Sequence, residues 1–486
     1  MYACESIWFQ KEERRKTLYK TIGNYAGIGF LILLILAFVF FLIGGFFSKV
    51  PENHTLLQEE TINQTMNNAE NIKNTLPSDN KTSENGSGEL MEDVIYEDLY
   101  LEEEESDIPL IIIDPGHGGM DEGCSRAGVE EKVYNLELAL LLKEKLEGLG
   151  FRVLLTRTED IEISLVERTE FAIASKGDML ISIHQNASEY SSAEGIETWF
   201  YEEGAGENKR LASLVQNYVT MYTDAKNRGI QETDVLYVIR ECKIPACLIE
   251  TGFLSNMNDL EKIQSEEYRE KIVQGLADAV WYYYNPKKMY LTFDDGPSKE
   301  NTARILDVLK EKNIQATFFV VGENVEKYPE LIQRMAQEGH TIGIHCYSHS
   351  YDDIYCSVDG FVADFEKAKV AVQKIVDVEV WCYRFPGGSI NSHNKEIYKD
   401  IIEKMSEMGY VYFDWNASME DAVKKTTTEQ IMQNAVESTL QRKKVVMLGH
   451  DIVYNTSICL EDLLDCFPEY EFLPLTKDVI PIQFKH

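Results

Sequence analysis

Residues 110–119 read LIIIDPGHGG: four apolar positions, an aspartate, a Pro-Gly turn and a histidine followed by two glycines. Such a run predicts a strand buried on both faces, whose C-terminal end delivers a loop that carries chemistry. The pattern recurs at 289–297 (MYLTFDDGP), where two aspartates lead the loop. Between these stretches, 131–150 has helical spacing and stops at glycine. Residues 151–156, 179–183 and 246–249 read as strands, and 165–175 and 268–284 as helices. Strands alternating with helices predict an α/β domain with a mostly parallel sheet over 109–285. Only Asn285, Pro286, Lys287 and Lys288 separate its last helix from the next strand, 289–293, in a second unit, 286–486. There, helices at 301–312, 328–338 and 361–375 alternate with strands at 316–321, 341–344, near Cys382 and Val411, and at 445–448. That repetition predicts a (β/α) barrel, whose catalytic groups gather at the strand C-termini.

Upstream, residues 26–47 are 22 uncharged, almost wholly apolar positions. As a helix they span roughly 33 Å, the thickness of a bilayer core. Lys11, Arg14, Arg15, Lys16 and Lys20 precede them and only Lys49 follows closely. That asymmetry predicts a single-pass anchor in a bacterial cell membrane, with 1–25 cytoplasmic and everything downstream outside. A cleaved signal peptide fits less well, because no small-x-small site follows the run. Residues 48–108 are rich in Asn, Thr, Ser and Glu without apolar periodicity, and read as a disordered acidic stalk. The net charge of −35 excludes nucleic acid as a partner, since neutralising phosphates needs Lys and Arg. Nine cysteines without a CxxC pair are compatible with either disulfides or free thiols.

Five of the nine histidines fall inside two ordered series of motifs. In the first, His117 follows a strand, Glu131 starts a helix and His184 ends a strand. Two imidazoles and a carboxylate from three elements make a three-ligand zinc site with an open position, suited to amide hydrolysis. Glu250 ends a further strand, where it is placed to act as general base. In the second, Asp294 and Asp295 end a strand, and His345 and His349 are four apart, so that a helical turn would stack them on one face. Asp295 with the two histidines would hold a divalent metal, leaving Asp294 as base, Arg384 to orient a carboxylate in bidentate fashion and His450 to protonate the departing amine.

The first series comprises DPGHGG, EKxxNL (131–136), LTR (155–157), SIHxNA (182–187), NRG (227–229) and ETGFLSN (250–256). In it the chain resembles the zinc-dependent N-acetylmuramoyl-L-alanine amidases of the type 3 family. The resemblance implies Zn2+ held by His117, Glu131 and His184, a catalytic Glu250, and cleavage of the bond joining the muramic lactyl group to L-alanine. Cys124 stands where that family often has a small residue. The second series, TFDDGP, HCYSH, RFPGG and GHD, resembles the polysaccharide deacetylases of carbohydrate esterase family 4. It implies a distorted (β/α) barrel and N-deacetylation of amino sugars. The metal, Zn2+ or another divalent ion, is held by Asp295, His345 and His349, with Asp294 as base and His450 as acid. It further implies that Asp421 pairs with His450 and that Pro386, Gly387 and Trp415 line the substrate. Ile344 and Ala422 depart from that family's pattern, which has a small polar residue and a tryptophan there.

Together the two resemblances imply a bifunctional hydrolase of peptidoglycan, stripping the peptide from muramic acid and deacetylating the same sugar, a route to muramic lactam. Two alternatives stand beside it. The activities are independent, with N-acetylglucosamine as the second substrate, or one domain is an inactive wall-binding module.

Overall fold

A computed structural model describes residues 107–202, 206–440 and 442–485. The sequence-predicted tail, anchor and nearly all of the stalk lie outside the described residues. Among those described, no helix is long and apolar enough to cross a membrane.

The first sheet is built from β1 (Leu110–Pro115), β4 (Arg152–Leu155), β5 (Met179–Asn186), β6 (Ile196–Phe200), β7 (Asn227–Glu232) and β8 (Ala246–Phe253). A small hairpin, β2 (Ser125–Arg126) with β3 (Val129–Glu130), lies apart from it. The order is β4-β1-β5-β8-β6-β7. Pairing is parallel except between β8 and β6, so β6 and β7 run against the rest. Every residue of β1 is buried. Ile111 and Ile113 point into a core with Leu138, Leu142, Leu214 and Leu276, from the helices Glu131–Gly148, Glu207–Thr223 and Glu266–Tyr284. Leu110 and Ile112 point the other way, onto Ala172 and Val238. A strand covered by helices on both sides has no polar face, which is why its sequence lacks alternation. The predicted strands and helices of this half are present; β6, β7 and the helix Glu207–Thr223 went unread.

The second sheet joins β9 (Lys287–Asp294), β10 (Thr317–Val321), β11 (Thr341–Cys346), β12 (Cys382–Tyr383), β13 (Val411–Tyr412), β14 (Ala417–Ser418), β15 (Lys444–His450) and β16 (Tyr470–Leu473). All its pairings are parallel, in the order β13-β12-β11-β10-β9-β15-β14, with β16 on the start of β9. The strands form a half-barrel rather than a closed one, since β13 and β14 end the sheet unpaired with each other. Strands β12, β13 and β14 have two residues each, too few ladder bonds to close the ring. Helices cover one face through Met289, Leu291 and Phe293; the other holds Tyr290, Phe319, Phe413 and Val446 against Leu475 and Val479 near the C-terminus.

Buried charge fixes the loop after β1. Asp114 accepts from Thr156 (2.6 Å), Ser182 (2.8 Å) and Arg168 (2.6 Å). Arg168 donates onward to the carbonyls of Pro115 (2.8 Å) and His117 (2.7 Å). Burial of Asp114 opposes its charged form, but Arg168 and the two hydroxyls hold its pKa below the usual value. Removing one partner of a buried pair strands the other charge, so Arg168→Leu is expected to cost roughly 3–5 kcal/mol. Urea unfolding of the variant against the parent measures this; a loss under 1 kcal/mol, the size of an exposed pair, contradicts it.

Candidate functional site

At the first centre, one oxygen of Glu131 faces both imidazoles. Its Oε1 lies 3.2 Å from His117 Nε2 and 2.9 Å from His184 Nδ1. The three ligand atoms fall within 4.8 Å of one another. His117 is presented by backbone in the left-handed region (φ 61°). Glycines around it are obligatory: a Cβ at Gly116 would sit 2.1 Å from the His184 ring, and one at Gly123 2.5 Å from Glu131 Oε2. Buried Arg157 secures the same loop through the carbonyls of Pro115 and Gly116, at 3.0 Å each. His117 Nδ1 pairs with Asp121 at 2.8 Å, which orients the ring. Burial disfavours protonated His117, yet Glu131 and Asp121 raise its pKa to about 9. That pull toward positive charge marks a donor set suited to a cation.

Glu250 on β8 is the register partner of His184 on β5. Its Oε2 is buried without a hydrogen-bond partner. Burial first, then the charges of Glu131 and Glu197, lift its pKa to about 7 against the pull of His184. Glu197 was not anticipated. It lies opposite Glu250 in the antiparallel β6–β8 pairing, a reversal that no local pattern encodes.

At the second centre, Asp295 Oδ1 lies 3.3 Å from both His345 Nε2 and His349 Nε2. These atoms too fall within 4.8 Å of one another, and Asp295 Oδ1 is buried with no hydrogen bond. An orphaned carboxylate oxygen facing two imidazoles fits a metal ligand set. The two histidines do not share a helical face. His345 belongs to β11, and His349 sits in the turn beyond it at φ 55°. The four-residue spacing is produced by a chain reversal. His345 Nδ1 lies 3.0 Å from the Arg384 carbonyl, which aims Nε2 at Asp295.

Arg384, expected to orient a carboxylate in bidentate fashion, meets that of Asp294 through a single nitrogen. It is fully buried and its donors are spent on Thr292 Oγ1 (2.7 Å), Asp294 Oδ1 (2.9 Å) and the carbonyls of Phe413 and Asp414. Buried and so engaged, this side chain positions Asp294. Pro386 presents its carbonyl to Tyr355 (2.8 Å) and Asn391 (3.0 Å), and Gly387 adopts φ 75° beside Tyr351. Tyr351, also unanticipated, has its ring 5.5 Å from His349 and 4.7 Å from His393. Trp415 packs edge-on to Phe484. Of the departures, Ile344 is buried in the core and Ala422 is exposed.

His450 ends β15 as the register partner of Asp294. Asp421 holds it through Nδ1 (2.8 Å) and the backbone N–H (2.8 Å), and Thr456 donates to the same carboxylate (2.6 Å). Burial lowers the pKa of His450, but Asp421, with Asp294 and Asp295 behind it, raises it to about 9.

With this geometry in place, comparison with known proteins is direct. Residues 111–282 match the N-acetylmuramoyl-L-alanine amidase family and 283–413 match polysaccharide deacetylase. N-acetylmuramoyl-L-alanine amidase CwlM of Bacillus licheniformis is 36% identical over 37% of this chain and 70% of its own length. The chain belongs to the N-acetylmuramoyl-L-alanine amidase family, with a polysaccharide deacetylase fused behind. N-acetylmuramoyl-L-alanine amidase LytC of Bacillus subtilis (strain 168) is 37% identical over 36% of this chain, which spans only 35% of LytC. Among solved structures, the catalytic domain of peptidoglycan N-acetylglucosamine deacetylase from Eubacterium rectale ATCC 33656 is 35% identical. It covers 41% of this chain and 93% of that one, with a TM-score of 0.39. The chain is thus an enzyme with amidase and deacetylase domains, a peptidoglycan-modifying hydrolase.

A raised histidine pKa stabilises the fold fully below the unfolded value of 6.5 and less as pH climbs through the folded value. The His450 ring is therefore expected to titrate near 9 by NMR, and Asp421→Asn to bring it down toward 6.5. An unchanged titration in that variant contradicts the assignment of Asp421 as the cause.

Proposed function

We propose that residues 109–285 cleave the bond between the muramic lactyl group and L-alanine, and that 286–486 remove the N-acetyl group of the same muramic acid. One observation carries this reading: in each half a candidate metal triad stands beside a separate acidic side chain. In the first, His117, Glu131 and His184 hold zinc, and Glu250 takes a proton from the attacking water and returns it to the departing amine. Its lifted pKa suits both directions of transfer near neutral pH. In the second, Asp295, His345 and His349 hold zinc or another divalent ion. Asp294, positioned by Arg384, accepts the proton of water. His450, held by Asp421, delivers one to the sugar amine. Bound metal supplies Lewis-acid polarisation of the amide carbonyl at both centres. Pro386, Gly387 and Trp415 line the sugar at the second.

The apolar run 26–47 and its flanking charges support a membrane anchor that leaves both domains outside the cytoplasm, facing the wall. Order follows from chemistry. Loss of the peptide exposes the lactyl carboxyl, deacetylation exposes an amine on the same sugar, and the two close to a lactam.

Glu250→Gln is expected to lower peptide release roughly a hundredfold to ten-thousandfold while sparing deacetylation, and Asp294→Asn to do the reverse. Both variants should retain metal, measured by elemental analysis of the protein. Loss of both activities in either variant would falsify separate centres. For the order, mass spectrometry should find muramic acid deacetylated faster in peptide-stripped glycan than in intact glycan. Equal rates, or acetyl loss from N-acetylglucosamine instead, count against it.

A further inference from the structure

Two motifs of the first series, SIHxNA and NRG, supply residues the proposed chemistry does not use: Asn186 and Arg228. Both converge on Glu197. Asn186 Nδ2 donates to its Oε1 at 2.8 Å, and Arg228 Nε to its Oε2 at 2.5 Å. Glu197 is buried, while the Arg228 side chain is one-third exposed. The guanidinium lies over the Phe253 ring, 4.8 Å from its centroid. Arg228 therefore engages the protein by Nε and one flat face, and its two terminal amino groups have no partner among the described residues. Other cations around this centre are committed. Arg157 and Arg168 spend their donors on carbonyls and Asp114, and Lys132 on Gly119 and Asp160.

A rigidly held guanidinium with a free two-pronged end is shaped for a carboxylate. Its place in the sheet says which one. Glu250, Glu197 and Arg228 lie on adjacent strands β8, β6 and β7. Two strand spacings amount to about 10 Å between backbones. The Arg228 side chain reaches back over Glu197, and one residue of extended peptide covers about 3.5 Å of the rest. We infer that Arg228 binds a free carboxylate carried by the second residue of the stem peptide, aligning the leaving group beside Glu250. In a chain of net charge −35, one fixed cation also offsets the repulsion of an acidic peptide. This inference rests on the amidase reading and adds a specificity residue to it.

The test uses the full chain, as parent, Arg228→Ala and Arg228→Lys. The probes are two muropeptides differing only in whether that carboxyl is free or amidated. Steady-state release of peptide is followed by chromatography. With the free acid, Arg228→Ala should raise KM roughly tenfold to a hundredfold and leave kcat within about twofold. Arg228→Lys should recover part of that loss, since it keeps the charge but not the fork. With the amidated probe, all three proteins should share one KM. Equal losses on both probes, or a fall in kcat with a lower melting temperature, make the Arg228–Glu197 pair purely structural and overturn the inference. If the parent cleaves both probes and Arg228→Ala is indifferent, the inference fails alone. If the parent cleaves neither, the amidase reading fails and takes the inference with it.

Discussion

Each centre depends on a carboxylate withdrawn from water and set against two imidazoles. An isolated buried carboxylate costs several kcal/mol, so something cationic must face it. Glu131 and Asp295 both meet that need with a single oxygen near two ring nitrogens. Both pKa values are pulled below the ordinary range by those rings, against burial. Three donors converge within 4.8 Å at each centre, and several of them are anchored from behind. Asp121 holds His117, the Arg384 carbonyl holds His345, and the backbone N–H groups of Cys124 and Gln185 hold Glu131. Charge concentration is tolerated only where the scaffold has settled the surrounding polar groups.

The scaffolds reach this by the same device on different sheets. In the first half, Asp114 at the end of β1 draws in Arg168, and Arg168 with Arg157 takes up the carbonyls of the His117 loop. In the second, Arg384 runs under β9 to Thr292 and Asp294 and receives Phe413 and Asp414 carbonyls from the next strand end. In both, a buried arginine converts loop carbonyls that water would otherwise satisfy into fixed geometry. These arginines therefore act through the loops they hold.

What was legible in the sequence follows from range. Strand β1 and the helix Glu131–Gly148 were readable because apolar periodicity is local, and the metal donors because their residue types are rare and clustered in motifs. The shared face of His345 and His349 was misjudged because spacing alone cannot distinguish a helical turn from a strand followed by a reversal at positive φ. Which carboxylate Arg384 meets is not legible either, because burial is invisible in a motif. Glu197 and Tyr351 were missed for a deeper reason. Glu197 comes to its centre because β6 runs antiparallel to β8, a pairing that joins residues far apart in the chain, while Tyr351, two residues from His349, is brought there by the turn after β11, whose geometry no periodicity shows.

The two halves also meet, and the contact bears on how one sugar could visit both centres. Lys209 pairs with Asp465 at 2.7 Å, and Arg210 Nε donates to the Pro468 carbonyl at 3.2 Å. The ammonium of Lys287, at the junction itself, lies over Tyr282 (4.8 Å) and Tyr470 (5.4 Å). With only Asn285 and Pro286 between the helix Glu266–Tyr284 and β9, these contacts leave little freedom for one half to swing against the other. On the proposed order of reactions, transfer of a muramic acid between centres would then require movement of the glycan rather than of the domains. A polymer that slides or rebinds along a fixed body meets both sites repeatedly, so on that proposal local concentration, not a hinge, would link the two reactions.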